Sequence, residues 1–204
     1  MSATTRPPDV EGRIVHAAIA LFSRQGYHGT TTREIARLAG VSEVTVFRYF
    51  DHKDQIFWAA LKSSFSAVKA RVNAVTNEPL FGSPEVVLPE VIGLFVDIST
   101  FSPELVRLIA VAFMELRGQA ESVCREHLSP VFSSICAYLT KNMQDGRIRN
   151  LNPAIATVAI ALTVMAQPEI SKVVDDRSFA GLGRREAASL YSEFWLHALT
   201  ESVQ

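Results

Sequence analysis

The chain is short of most residues that catalytic or structural metal chemistry needs. It holds only two cysteines in 204 residues, Cys124 and Cys136, twelve positions apart. That spacing fits no zinc motif, and two thiols are too few for a disulfide framework. Both read as buried free thiols, with a redox sensor as the alternative. Five histidines, His16, His28, His52, His127 and His197, are scattered, with no pair at metal-ligand spacing. There is no Gly-rich loop after a strand, no nucleophile elbow and no nucleotide-phosphate signature, so catalysis has no motif to rest on. An excess of one charge is also missing. Lys and Arg number 20 against 21 Asp and Glu, so the chain as a whole is not a basic nucleic-acid binder. The longest apolar stretch, 154–166, falls short of the roughly 20 residues a bilayer span requires. The start, MSATTRPPDVEGR, is polar and carries no secretory pattern, and reads as frayed. The expectation is a cytoplasmic protein with no membrane partner, no cofactor, no metal and no enzymatic activity.

What is present is helical periodicity. Hydrophobic residues make up 48% of the chain, enough for a real core in one large domain or two small ones. Ile14, Ala17, Ala18, Leu21 and Phe22 recur at i, i+3, i+4, i+7 and i+8, which predicts an amphipathic helix over 10–25. A long helix is predicted over 53–75, with Phe57, Trp58, Leu61, Phe65 and Val68 on its inner side. Pro and Gly mark a loop over 77–84. Further helices are predicted over 85–100, 103–117, 119–145, 153–174 and 184–202. Pro103 stands at a first helical position, Pro130 should kink the helix that holds it, and 175–183 should be a loop. No segment alternates with period two, so the fold class is all-α.

The most specific segment is 31–53, TTREIARLAGVSEVTVFRYFDHK. Thr31 and Glu34 have capping-box spacing. Ile35, Leu38 and Ala39 read as one buried stripe, and Gly40 as the left-handed end of that helix. Ser42 can cap a short helix from Glu43 to Tyr49 or Phe50. Val41, Val46 and Phe50 should face inward. Glu43, Val44, Thr45, Phe47, Arg48 and Tyr49 then face out. An outward Phe and Tyr call for something packed on them, and a DNA backbone with thymine methyls would do so. Asp51 can cap the next helix, with Lys53 in its first turn, where an anion would offset the unfavourable helix dipole. The outline is a helix-turn-helix. Helical pairs that bind no DNA share it, and Arg33, Arg37, Arg48 and Lys53 read equally as solvated surface. Charge favours the DNA reading: 1–53 carries seven Lys or Arg against five acids, the remainder thirteen against sixteen.

These residues, together with Ala17, Ala18, Leu21, Phe22, Gly26 and Tyr27 upstream, resemble the N-terminal domain of the tetracycline-repressor (TetR) family of bacterial transcriptional regulators. The detailed likeness covers roughly residues 12 to 60 and combines several fixed spacings. Beyond it only the helical layout is similar. The resemblance implies a three-helix DNA-binding domain over 1–53 and a helical ligand-binding and dimerisation domain over 54–204. It implies DNA contacts from Thr32 and Arg33, a reading face of Glu43, Val44, Thr45, Phe47, Arg48 and Tyr49, and a phosphate clamp at Lys53. Phe47 departs from the family's usual Tyr. Glu43 must either read a cytosine amino group or act as an ordinary first-turn helix acid.

The resemblance also implies a small-molecule pocket among the fourth to seventh helices. Trp58, Phe65, Phe95, Phe113, Met114 and Cys124 are its apolar candidates, and Arg117 and His127 its polar ones. The all-round apolar 153–166 segment and the bulky stripe of the last helix predict a homodimer through Ala159, Leu162, Val164, Tyr191, Phe194, Trp195 and Ala198; burial within one chain is the alternative. The expected function is a regulator, in the main a repressor released from a palindromic operator on double-stranded DNA by a small molecule. The alternatives are a ligand-binding dimer with no operator and an activator with the same reader.

Overall fold

The computed structural model describes residues 9–76, 79–174 and 182–200, with the backbone alone at Arg117 and Gln119. Met1–Pro8, residues 175–181 of the expected loop, and the last residues of the expected final helix lie outside the described residues. Among the described residues are nine helices and no strand. They are α1 (Val10–Gln25), α2 (Thr32–Ala39), α3 (Glu43–Phe47), α4 (Lys53–Thr76), α5 (Pro84–Phe101), α6 (Pro103–Glu115), α7 (Arg117–Gln144), α8 (Pro153–Ile170) and α9 (Arg184–Thr200).

Local chemistry sets most of the boundaries. The Asp9 carboxylate accepts from the Gly12 N–H at 2.7 Å and opens α1. Asn152 Oδ1 accepts from the N–H groups of Ala154 and Ile155 at 3.0 and 3.1 Å, with Pro153 at the first helical position of α8. Two helix ends differ from expectation. α3 stops at Phe47, because the Arg48 and Tyr49 N–H groups turn back to Thr45 and Val46 and the chain tightens there. α8 stops at Ile170 and continues as a turn through Val173. α7 runs through Pro130 as one helix, and α5 and α8 also contain prolines, Pro89 and Pro168.

The chain divides into two compact units. One comprises the described residues up to Ala67 together with Glu104–Cys124; the other comprises Val68–Pro103 with the described residues from Arg125 onward. The sequence places a domain boundary after residue 53, whereas the first compact unit takes in part of α4 and all of α6 as well.

In the first unit α2 packs on both α1 and α3. Ile14, Ala18 and Phe22 of α1, Ile35 of α2, Val46 of α3, and Ile56, Phe57 and Leu61 of α4 are fully buried. The Phe22 and Phe57 rings meet edge to face at 5.1 Å, and Tyr27 lies 5.8 Å from Phe57. The expected α2 stripe needs correction. Ile35, Ala36 and Ala39 are buried, while Leu38 is 53% exposed. Ala36 and Leu38 sit about 80° either side of the Ile35–Ala39 line, so spacing admits either face. Packing against α1 and α3 selects the Ala36 side.

In the second unit α5 packs on α8 and α9. Its core joins Leu88, Val91 and Ile92 to Ile135 and Leu139 of α7, Ile160 of α8 and Leu199 of α9. Buried Tyr138 donates its hydroxyl to the Gly82 carbonyl at 3.2 Å, and burial pushes its pKa up to about 12. Arg184 pairs with Asp97. α8 is longer than the apolar stretch read from sequence, and by length and composition its 18 residues meet the test for a membrane span. Ala156, Ile160, Ala161 and Val164 are buried in the unit's own core, whereas Ile155, Val158 and Leu162 are exposed. Val164, expected at a partner interface, is therefore corrected to a core residue: its exposure of 1% leaves nothing for a partner to cover.

Truncating the fully buried ring in Phe22→Ala should cost about 3–5 kcal/mol of unfolding free energy. Leu38→Gln should stay within about 0.5 kcal/mol of the parent. Denaturant unfolding of both variants checks the two assignments.

Candidate nucleic-acid interface

The turn between α1 and α2 is built first. Gly26 adopts a positive φ of 75°, which a residue with a Cβ rarely tolerates. The space beside it is filled too, since a Cβ there would lie 2.6 Å from Glu115 Oε1. Glu115 Oε2 accepts from the His28 N–H at 2.9 Å, so the end of α6 fastens this turn. Fully buried Thr30 donates its hydroxyl to the Gly26 carbonyl at 2.8 Å. Lys53, in the first turn of α4, closes the arrangement. Its ammonium donates to the carbonyls of Tyr27 and Thr30 at 2.9 and 3.0 Å and lies 4.2 Å from the centre of the Tyr27 ring. Lys53 is thus engaged within the domain by two of its three N–H bonds, where the sequence anticipates only a phosphate clamp.

α2 is closed at both ends. The Thr31 hydroxyl accepts from the Glu34 N–H at 3.2 Å, and Glu34 Oε2 accepts from the Thr31 N–H at 2.9 Å, which completes the capping box. Those bonds hold the Glu34 carboxyl below its ordinary pKa, the Thr31 N–H being the largest cause. At the other end Gly40 is left-handed, with φ 67° and ψ 39°. Its N–H returns to the Arg37 carbonyl and that of Val41 to Ala36, a Schellman closure. Arg13 of α1 donates to the Ala39 carbonyl at 2.8 Å and places a cation on this C-terminus. Arg13 and Glu115 are contributors that sequence reasoning missed, as is the role of Tyr27, which the family resemblance includes without assigning it one. Their partners lie far away along the chain, so no local spacing reveals them.

The turn delivers α3 with its inner side anchored and its outer side bare. Ser42 Oγ accepts from the Thr45 N–H at 3.0 Å and shares a hydrogen bond with the Thr45 hydroxyl at 2.8 Å. Val46 is fully buried and Phe50 nearly so. Val44 is 73% exposed, Phe47 46% and Tyr49 48%. Glu43, Arg48 and Arg33 are exposed, and Thr32 and Thr45 are half-buried. Neither arginine side chain makes a hydrogen bond or ion pair among the described residues. Glu43 Oε1 accepts from the Thr32 hydroxyl at 2.6 Å, which joins the first residues of α2 and α3. The surface therefore offers three large apolar side chains beside two unpaired cations. The group spans α3, the turn after it and Arg33 of α2, and a nucleic-acid groove suits it.

The other candidates are more dispersed. Phe65, Phe95 and Cys124 are buried, Trp58 and His127 half-buried, and Phe113 and Met114 exposed. The Arg117 side chain lies outside what is described. Burial pushes the Cys124 thiol pKa up, which keeps it protonated and unreactive. Two grooves of the second unit went unanticipated. One, of about 410 Å³, is lined by Val75, Leu80, Phe81 and Val87; the other, of about 610 Å³, by Phe132, Cys136, Lys141 and Val158. Neither contains any of the eight expected pocket residues. Among the dimer candidates Leu162 and Phe194 are exposed, while Ala159, Tyr191, Trp195 and Ala198 are half-buried.

Comparison with known proteins agrees with this geometry. Residues 14–60 match the profile of the family described as bacterial regulatory proteins, tetR family. The chain is 30% identical over 121 residues to the HTH-type transcriptional regulator RutR of Escherichia coli O157:H7, covering 55% of this chain and 56% of that one. It is 46% identical over 65 residues to the HTH-type transcriptional regulator HbdR of an Aromatoleum strain, covering 30% and 28%. The matches thus span about half or less of these curated relatives. The fold is similar to that of AibR in complex with isovaleryl coenzyme A and operator DNA, with a TM-score of 0.73, 14% identity, and coverage of 91% of this chain and 97% of that one.

Lys53→Ala should lower stability by on the order of 1–2 kcal/mol, because two charge-assisted hydrogen bonds are lost. Thermal unfolding without DNA reads this directly; a lysine that serves only as a phosphate contact would leave the midpoint unchanged.

Proposed function

We propose that this chain, which belongs to the tetR family of bacterial regulatory proteins, is a sequence-specific transcriptional repressor. It acts as a cytoplasmic homodimer that holds a palindromic operator and leaves it when a small molecule binds. The observation that carries this reading is the outer face of α3, with Val44, Phe47 and Tyr49 exposed beside the unpaired cations Arg33 and Arg48. Relatives of this family are regulators rather than enzymes, and no catalytic step is assigned.

In this reading residues 1–53 are the DNA reader and 54–204 the ligand-binding and dimerisation part. Arg48, Val44, Phe47 and Tyr49 meet base edges and thymine methyls, while Thr32, Arg33 and Thr45 meet the backbone. Lys53 positions the reader and keeps one N–H for a phosphate. One short helix makes too few base contacts for specificity, so a two-fold dimer is required. Its half-sites would lie about 34 Å or a multiple apart. Ile155, Val158 and Leu162 of α8 and Leu190 and Phe194 of α9 supply an exposed apolar face for the second copy. The AibR complex, which holds both isovaleryl coenzyme A and operator DNA, supports a fold that takes up both kinds of partner. Such a ligand acts by favouring the conformer whose two readers are misspaced for DNA.

Selection of genomic fragments by the purified protein at about 0.15 M salt, where weak non-specific binding is screened, tests this function. A recovered palindrome overlapping a promoter is expected, and recovery of no preferred fragment would refute the reader. Arg48→Ala should weaken binding to that palindrome by about 1–3 kcal/mol and relax its sequence preference. Phe194→Asp should convert the dimer to monomer in sedimentation; an unchanged dimer mass would place the interface elsewhere.

A further inference from the structure

Glu43 is the one acid on the outer face of α3, and its surroundings are unusual for an acid there. Its Oε1 accepts from the Thr32 hydroxyl at 2.6 Å. Among the described residues it has no ion pair, although Arg33 and Arg48 are exposed on the same side of the domain. The helix does not depend on it for a cap, because Ser42 already accepts from the Thr45 N–H. The carboxylate is therefore held at the surface that meets DNA, by a hydroxyl that is itself a backbone-contact candidate.

We infer that Glu43 is a specificity-determining residue of the reader, one that favours a base with an amino donor at its position, cytosine above all, and penalises bases that offer only acceptors there. The inference rests on the repressor reading above. A hydroxyl has a single proton to donate, so the Thr32 O–H can serve either Glu43 or a phosphate oxygen. Once Thr32 turns to a phosphate, the carboxylate loses its donor in a field of negative charge. A carboxylate stripped of water and donor is costly, and the cost is met only where the groove supplies a replacement. In the major groove the cytosine N4 amino group is that donor, and adenine N6 is a poorer one because the N7 acceptor stands beside it, while thymine O4 and guanine O6 and N7 present only acceptors against the acid. Attraction of Arg33 to the phosphate backbone is blind to sequence; Glu43 opposes it except where an amino donor faces the carboxylate. The reader thereby excludes wrong sites as well as favouring the right one.

The test compares the parent with Glu43→Gln on two duplexes: the palindrome recovered by selection and a mixed-sequence duplex of equal length. Gln keeps an acceptor for Thr32 and removes the charge, so the turn stays intact; unchanged thermal unfolding checks this. Binding of Glu43→Gln to the mixed-sequence duplex should tighten about tenfold while the palindrome gains less, which narrows the ratio between them. Replacing the facing C·G pair by T·A should weaken the parent about tenfold and the variant much less. Equal shifts on both duplexes, or no shift on either, would overturn the role of Glu43 while leaving the regulator reading standing. A parent that prefers no fragment at all would overturn that reading and this one together.

Discussion

The proposed DNA-reading surface depends on one ammonium group. Lys53 ties the first turn of α4 to the carbonyls of Tyr27 and Thr30, 26 and 23 residues earlier, with the Tyr27 ring against its charge. α3 has only five residues and cannot fix its own direction. It is suspended between α2, whose end is set by the left-handed Gly40, and α4, whose start is set by Lys53. With both anchors in place Val46 and Phe50 point inward, and the opposite side chains have nowhere to go but out. The exposed Val44, Phe47 and Tyr49 are thus a consequence of anchoring, and their exposure is what makes the face suited to a groove.

Much of this was legible in the sequence because it is local. The capping box of Thr31 and Glu34, the Ser42 cap, the terminal Gly40 and the α1 stripe all involve residues within a few positions of each other. Each depends on backbone groups that any helix end leaves unpaired. The failures have equally physical causes. Leu38 was assigned to the core because helical spacing fixes a stripe only to within a residue on either side. Val164 was assigned to a partner interface because α8 is apolar on several faces and composition does not say which face its own chain covers. The links from Arg13 to Ala39, from Lys53 to Tyr27 and from Glu115 to His28 join residues 26 to 87 positions apart, and no pattern in a single sequence encodes them.

Two of the exposed apolar surfaces among the described residues differ in kind. The face on α3 is small, mixed with unpaired arginines and set on a rigid turn, which suits a charged and grooved partner. The face on α8 and α9 exposes Ile155, Val158, Leu162, Leu190 and Phe194, which suits a second copy of the same surface. Trp195 already donates to the Thr163 hydroxyl at 3.3 Å, so the two helices that form it are in register before any partner arrives. The distribution of charge agrees with this division. Residues 1–53 carry an excess of basic residues and the rest an excess of acidic ones, within a chain whose net charge is −1. The net charge therefore favours phosphate at the N-terminal end of the sequence, where the proposed reader lies.

The most direct test of this account is the structure of the protein bound to its selected palindrome. The account predicts α3 lying in the major groove, Val44, Phe47, Arg48 and Tyr49 against bases or sugars, and Lys53 still on the Tyr27 and Thr30 carbonyls. An α3 lying outside the groove, or a Lys53 released from both carbonyls with the turn rebuilt around it, would contradict the claim that a preformed, anchored helix does the reading.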